Sequence, residues 1–108
     1  MYKAYVKEKE LLETYENEYG FGAYQINPYG KIFDIGDFYI KPEYRTGVKS
    51  TKLFDELVDI AIKNSCKKIT CCVDTNQALP EPSLHIVLRL KFKFSHIHDG
   101  VIYFYKNI

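Results

Sequence analysis

The stretch that decides the fold is "KIFDIGDFYIKPEYRTGVKST", residues 31–51. Its first ten residues read as a strand, in which successive side chains point to opposite faces. Phe33 and Ile35 share one parity, whereas Phe38 and Ile40 share the other, so the pattern slips by one residue at Gly36 or Asp37. Such a slip turns a strand's apolar set to the wrong side unless a β-bulge absorbs it. The reading is therefore a bulged strand. Bulges bend a strand and leave backbone groups unpaired, which suits a site beside an active centre; an edge irregularity with no ligand fits the same parity.

Pro42 ends the strand, because it has no amide to give to a ladder. From Ser50 onward Leu53, Phe54, Leu57, Val58, Ala61 and Ile62 recur at helical spacing and predict an amphipathic helix. Lys52 with Glu56, and Asp59 with Lys63, stand four apart and read as surface neighbours on its outer side. After Asn64 and Ser65, "KKITCCVD" at 67–74 alternates Ile69, Cys71 and Val73 with Thr70, Cys72 and Asp74 as a second strand. Strand, helix and strand in one sheet imply a right-handed crossover between parallel strands.

The crossover helix thus opens at the end of a strand, where its first amides lack acceptors and favour an anion. Arg45, Thr46, Gly47, Val48, Lys49, Ser50 and Thr51 surround that point. Gly47 allows close backbone approach, Ser50 and Thr51 offer hydroxyls, and Arg45 and Lys49 add charge. A helix capped by its own Ser50 or Thr51, with no ligand, fits the same residues.

Upstream, residues 3–19 mix acids and bases and accommodate either an amphipathic helix or strand pieces around Glu8 to Glu10. From Tyr19 to Ile26 aromatic and small residues alternate, and "NPYG" at 27–30 suits a tight reversal into the strand near Lys31. The 108 residues suffice for one domain with a modest core, residues 1–108. No apolar run approaches bilayer length and no signal-peptide pattern opens the chain, so a soluble, cytoplasmic protein is expected. Three cysteines, two of them adjacent, build no disulfide framework and fit a reducing compartment. Residues 1–44 carry eight acids against five bases, and residues 45–108 six acids against ten. That tilt favours a small polyanion and argues against nucleic acid, which wants a clustered basic stripe.

"IGDFYIKPEYRTGV", the helix, "KKITCCVDTN", "SLHIVLRLKFKF" and "HIHDGVIYFYKNI", in that order, resemble the GNAT superfamily of N-acetyltransferases over about residues 19–108, most nearly its short bacteriophage-encoded members. The resemblance implies a mixed, mainly antiparallel α/β (α+β) sheet of about five to seven strands, a bulged central strand, helices on both faces and a cleft where the strands flanking the crossover diverge. It implies acetyl-coenzyme A as cosubstrate and no metal. Phe38, Tyr39 and Ile40 would pair with the pantetheine arm, Arg45 to Thr51 would hold the pyrophosphate, and Asn76 and Ser83 would line the thiol end. Departures are visible: the loop is one residue short between Arg45 and Gly47, Lys91 replaces the glycine before Phe92, and Val87 stands where many relatives place a proton-donating tyrosine.

Acetyl transfer to a primary amine, of a small molecule or a protein lysine, needs a base for the amine, and Asp37 beside the bulge is the best placed, with Asp34 behind it. The leaving thiolate takes its proton from water, from Ser83 or His85 on the later helix, or from Tyr103 in the closing hairpin. The alternative is a GNAT-like scaffold that binds a host protein without catalysis; a ferredoxin-like ligand-binding module is a third reading. A homodimer fits a chain whose N-terminal region lacks the long helices that wall the acceptor cleft in relatives. His96 and His98 share a strand face, yet the cysteine spacing suits no structural zinc site. Cys71 reads as core and Cys72 as small filler or an acyl carrier.

Overall fold

The computed structural model describes residues 12–45, 48–76 and 81–108, with the backbone alone at 48–50 and 81–84. Strands β1 (Glu13–Asn17), β2 (Gly20–Asn27) and β3 (Ile32–Ile40) form an antiparallel meander. A short 3-10 turn, Pro42–Tyr44, leads into α1 (Val48–Lys63), followed by β4 (Lys68–Asp74), α2 (Glu81–Arg89), β5 (Lys93–His98) and β6 (Val101–Asn107). The six strands make one sheet in the order β1-β2-β3-β4-β6-β5, in which the β3–β4 pair alone is parallel. The expected mixed, mainly antiparallel sheet and crossover helix are both present. Within residues 3–19, the described part is strand, while the segment around Glu8 to Glu10 lies outside the described residues.

Local chemistry sets the reversals. Asn17 Oδ1 accepts the amides of Tyr19 at 2.8 Å and Gly20 at 3.2 Å, and Asn27 Oδ1 accepts those of Tyr29 and Gly30 at 3.0 and 3.2 Å. Both are side-chain mimics of a backbone turn. Asp99 and Gly100 have φ of 50° and 77°, the two successive left-handed residues of a type I′ hairpin. Gly20 is a close-approach glycine: a Cβ there would sit 1.9 Å from the Tyr39 carbonyl oxygen on the neighbouring strand.

The two helices end alike, and neither uses glycine. The Cys66 amide reaches back to Ala61 O at 2.9 Å and the Ser65 amide to Ile62 O at 3.0 Å, with Ser65 at φ 62°. At the end of α2 the Phe92 amide bonds Val87 O at 3.2 Å and the Lys91 amide bonds Leu88 O at 3.1 Å, with Lys91 at φ 69°. These are Schellman caps in which a residue with a Cβ carries the left-handed conformation. Lys106 Nζ, reaching across from β6, satisfies Leu90 O at 2.8 Å and places its charge at the negative end of the helix.

Strand parity divides the sheet into two faces. Phe33 and Ile35 of β3, Ile69 and Val73 of β4 and Phe104 of β6 join Phe54, Leu57 and Ala61 of α1, and Val87 and Leu90 of α2, in one core. Both described helices therefore pack on the same face. Gly22 is part of the fit, since a Cβ there would lie 2.7 Å from Leu57 Cδ1. On the opposite face Leu12 covers Ala23 and Gly36; residues 1–11, which precede it, lie outside the described residues. Glu56, read from sequence as a partner of Lys52, instead turns to the sheet. It accepts hydrogen bonds from Asn17 Nδ2 and from the Tyr15 hydroxyl, and burial together with that carboxylate pushes the Tyr15 pKa up. No helix among the described residues is long and apolar enough to cross a membrane.

Relieving the left-handed strain at Lys91 with Lys91→Gly is expected to stabilise the protein by about 0.5–1 kcal/mol, because the strain removed exceeds the added unfolded-state entropy. Gly20→Ala is expected to cost about 1–3 kcal/mol or more, since backbone must move. Urea denaturation, read as a change in midpoint at constant slope, checks both.

Candidate active site

β3 and β4 share three rungs, Ile32 with Lys68, Phe33 with Ile69 and Asp34 with Thr70. Thr70 Oγ1 donates to Asp34 Oδ1 at 2.6 Å across the last of them. Beyond that rung the strands part. The cause on the β3 side is visible in its other ladder: Tyr24 of β2 pairs with Ile35 and Ala23 pairs with Asp37, which leaves Gly36 as the extra residue of a bulge. The slip inferred from sequence parity is thus at the position expected. From Ile35 to Ile40 the strand stays bonded to β2 on one edge, and its other edge, where alternate amides and carbonyls point, opens toward β4.

A cavity of about 190 Å³ fills the gap. Ile35, Gly36, Asp37 and Phe38 form one wall and Cys71 to Asp74 the other; Phe54 of α1, with Ile86, Val87 and Leu90 of α2 and Phe92 beyond it, supplies the apolar remainder. Two carboxylates, Asp37 from one wall and Asp74 from the other, border this otherwise greasy slot. Burial pushes the Cys71 thiol up to about 12, with further contributions from Cys72 and Asp34. Cys72 is raised as well, by burial first and then by the charges of Asp34 and Asp74. Thiols held neutral in this way are poor nucleophiles, so the arrangement disfavours Cys72 as an acyl carrier.

The residues singled out in the sequence separate in space. Phe38 lines the cavity and packs on the core, and Ile40 is buried. Tyr39 lies on the opposite face, stacked on Phe21 with ring centroids 5.4 Å apart. Arg45 folds back on the strand: its Nε donates to Ile40 O at 2.8 Å and its guanidinium lies 5.4 Å from the Tyr39 ring centre. It fixes the end of β3 as well as contributing charge. Thr46 and Gly47 lie outside the described residues, while Val48, Lys49 and Ser50 form the first turn of α1 with Thr51 after them. The helix therefore opens just past the end of β3.

Asn76 is tied to the neighbouring hairpin. Its backbone amide donates to Asp74 Oδ1 at 2.9 Å and its Nδ2 to Asp99 O at 3.4 Å, while the Thr75 amide bonds Gly100 O at 2.9 Å. Ser83 belongs to α2, and its side chain lies outside the described residues. His85 is exposed. Tyr103 pairs with Cys72 on the face away from the helices and stacks on His96, 4.5 Å between centroids and 10° between planes. Of the two catalytic candidates, Asp37 borders the cavity and Tyr103 stands behind its β4 wall. Val87 is buried in the cavity wall, where it can move no proton. Asp74, missed in the sequence, was marked there by its place at the end of the second crossover strand. Among the described residues no cluster of three or more His, Cys, Asp or Glu side chains could hold a metal.

No protein-family model matches the sequence, and no curated protein is similar to it. Solved structures do match the fold. The PaiA N-acetyltransferase of Thermoplasma acidophilum, in complex with coenzyme A, aligns at TM-score 0.74 and 15% identity over 99% of this chain and 68% of its own. Nourseothricin acetyltransferase aligns at TM-score 0.68 and 17% identity over 82% of this chain and 61% of its own. An acetyltransferase of the GNAT family from Listeria monocytogenes aligns at TM-score 0.63 and 14% identity, over 83% and 58%. The chain thus spans about three-fifths of the length of nourseothricin acetyltransferase, and its architecture is the GNAT acetyltransferase fold.

The raised thiols carry a pH signature. Iodoacetamide is expected to alkylate Cys71 more slowly in the folded protein than in urea, with the gap closing as pH climbs toward 12, and Cys72, raised in the same direction, is expected to lag as well. Because the folded pKa of Cys71 exceeds the unfolded one, its contribution to stability is complete below pH 9 and is lost between 9 and about 12. Mass spectrometry of quenched time points gives the rates.

Proposed function

We propose that this chain transfers an acetyl group from acetyl-coenzyme A to a primary amine. The observation that carries the reading is the slot opened between β3 and β4 at the Gly36 bulge, with an open strand edge along one wall and Phe54 of α1 in its lining. The fit to the cosubstrate follows from complementary chemistry. The open edge of Phe38, Tyr39 and Ile40 suits the amides of a pantetheine arm, in the manner of an added strand. The first turn of α1, residues 48–51, with Thr46 and Gly47 before it and the Arg45 cation nearby, suits a pyrophosphate. Neighbouring folds that carry coenzyme A support the same ligand.

In this reading the amine nitrogen attacks the thioester carbonyl carbon; a C–N bond forms, the C–S bond breaks, and sulfur leaves as thiolate. Asp37 takes the proton that the amine loses, directly or through one water, and an amide at the bulge polarises the carbonyl oxygen. The apolar wall of Phe38, Ile86 and Val87 keeps bulk water from the thioester and strengthens these polar contacts. The thiolate is protonated by water or by Tyr103 working from behind Cys72. In this reading Asn76 and Ser83 would line the thiol end, and much of the rate comes from holding the two reactants together. The acceptor is a small-molecule amine or a protein lysine. A second reading, a scaffold of the same fold that holds a protein partner and the cofactor without turnover, draws on the inert Val87 in the cavity wall.

Acetyl-coenzyme A is expected to raise the melting temperature, as any ligand of the native state does, and thiol is expected to be released with a panel of amines. Asp37→Asn should keep the melting shift and lower kcat by about 10²–10⁴-fold. A melting shift without thiol release on any amine supports the second reading; no shift at all removes both. Tyr103→Phe separates its two possible proton sources: unchanged kcat assigns the thiolate proton to water.

A further inference from the structure

We propose that β5 is the seam of a two-fold dimer in which the sheets of two copies join edge to edge. β5 ends the sheet, pairing with β6 on one side and with nothing beyond it among the described residues, and all six of its residues are exposed. Phe94 and Ile97 are 58% and 61% exposed although they point to the same face as the core. Their partners show this: Phe94 stands opposite Phe104 and Ile97 opposite Ile102, both part of the helix-covered side. The two residues reach that face together because of a second bulge, at Ser95, between the Phe94 and His96 rungs. An edge strand with bare amides and large apolar side chains is a surface that proteins cover.

The strand is complementary to its own reverse. Set antiparallel to a second copy about an axis between Ser95 and His96, it places Phe94 opposite Ile97 twice, on one face. It also places Lys93 opposite His98 and beside Asp99, so that the cation at one end of each strand meets the carboxylate at the other. That carboxylate and His98 are 86% and 74% exposed, with their mutual contact of 3.1 Å. The bulge residues fall at the axis, where the two edges bend away together. β1, the other edge of the sheet, carries exposed Glu13 and Glu16 and is a competing match for a basic strand. Pairing β5 with β1 is head-to-tail and grows without end, whereas β5 with β5 closes.

The seam lies two strands away from the cavity and meets the proposed chemistry through the His96–Tyr103 stack, which Ile97→Lys leaves in place. Sedimentation equilibrium of the protein from micromolar to millimolar concentration is expected to show a dimer, and Ile97→Lys to weaken it by about tenfold or more. Circular dichroism of that variant, and its melting at concentrations where both proteins are monomeric, should match the parent, because the side chain is exposed in the single chain. Phe94→Cys/Ile97→Cys is expected to give a disulfide-linked dimer under mild oxidation, while each single variant and the parent do not, which fixes the register. A monomer at all concentrations, a dimer indifferent to Ile97→Lys, or polymers of indefinite length would each overturn the proposal.

Discussion

The rung between Asp34 and Thr70 is the constraint on which the site depends. Below it two parallel strands are held together; above it one of them must follow β2 while the other follows β6. The hydrogen bond across that rung fixes where the fork begins, and the extra residue at Gly36 bends β3 away from β4. Phe54 and the α2 residues then fill the fork from one side with apolar surface. A row of backbone donors and acceptors left along such a slot is costly unless something polar pairs with it. Backbone groups of that kind pair with water or with the amides of an extended chain laid beside them.

Much of this was legible because it is written in periodicity. The face change between Ile35 and Phe38 can be read from one sequence, since a strand has no other way to bury both sets. The reversal at Asn27 was equally plain, resting on a residue type with a conformational reason. What could not be read depended on partners distant in the chain. Glu56 has a lysine four residues away, yet it is claimed by Asn17 and Tyr15 from a strand some 40 residues upstream, a pairing that exists only once the sheet is laid under α1. Arg45 looked like a ligand for an anion and is also a clamp on the strand it follows. The face taken by Tyr103 follows from its register with Cys72, which no local spacing reveals.

Lys91 and Val87 show how far side chains can depart while the architecture persists. A helix stop that glycine would make without strain is made here by a lysine at φ 69°, held by two backbone bonds and reinforced by Lys106 from the far strand. Identity of 14–17% to solved structures of the same shape is consistent with that economy. The fork is a property of hydrogen-bond ladders and of where a bulge falls, and these tolerate many sequences; at position 36 a Cβ would meet the tip of the Leu12 side chain at 2.8 Å.

The position of β6 has a consequence for the birth of the protein. It lies between β4 and β5 although it follows both in the chain. During synthesis the meander of β1, β2 and β3 can pair as it leaves the ribosome, each strand finding the one just made. β4 gains its second neighbour, and β5 its first, only when residues 101–107 have emerged. Until then the nascent chain carries a half-built sheet with Val73, Ile69 and Phe92 incompletely covered, a state in which it is most exposed to chaperones and to other nascent chains.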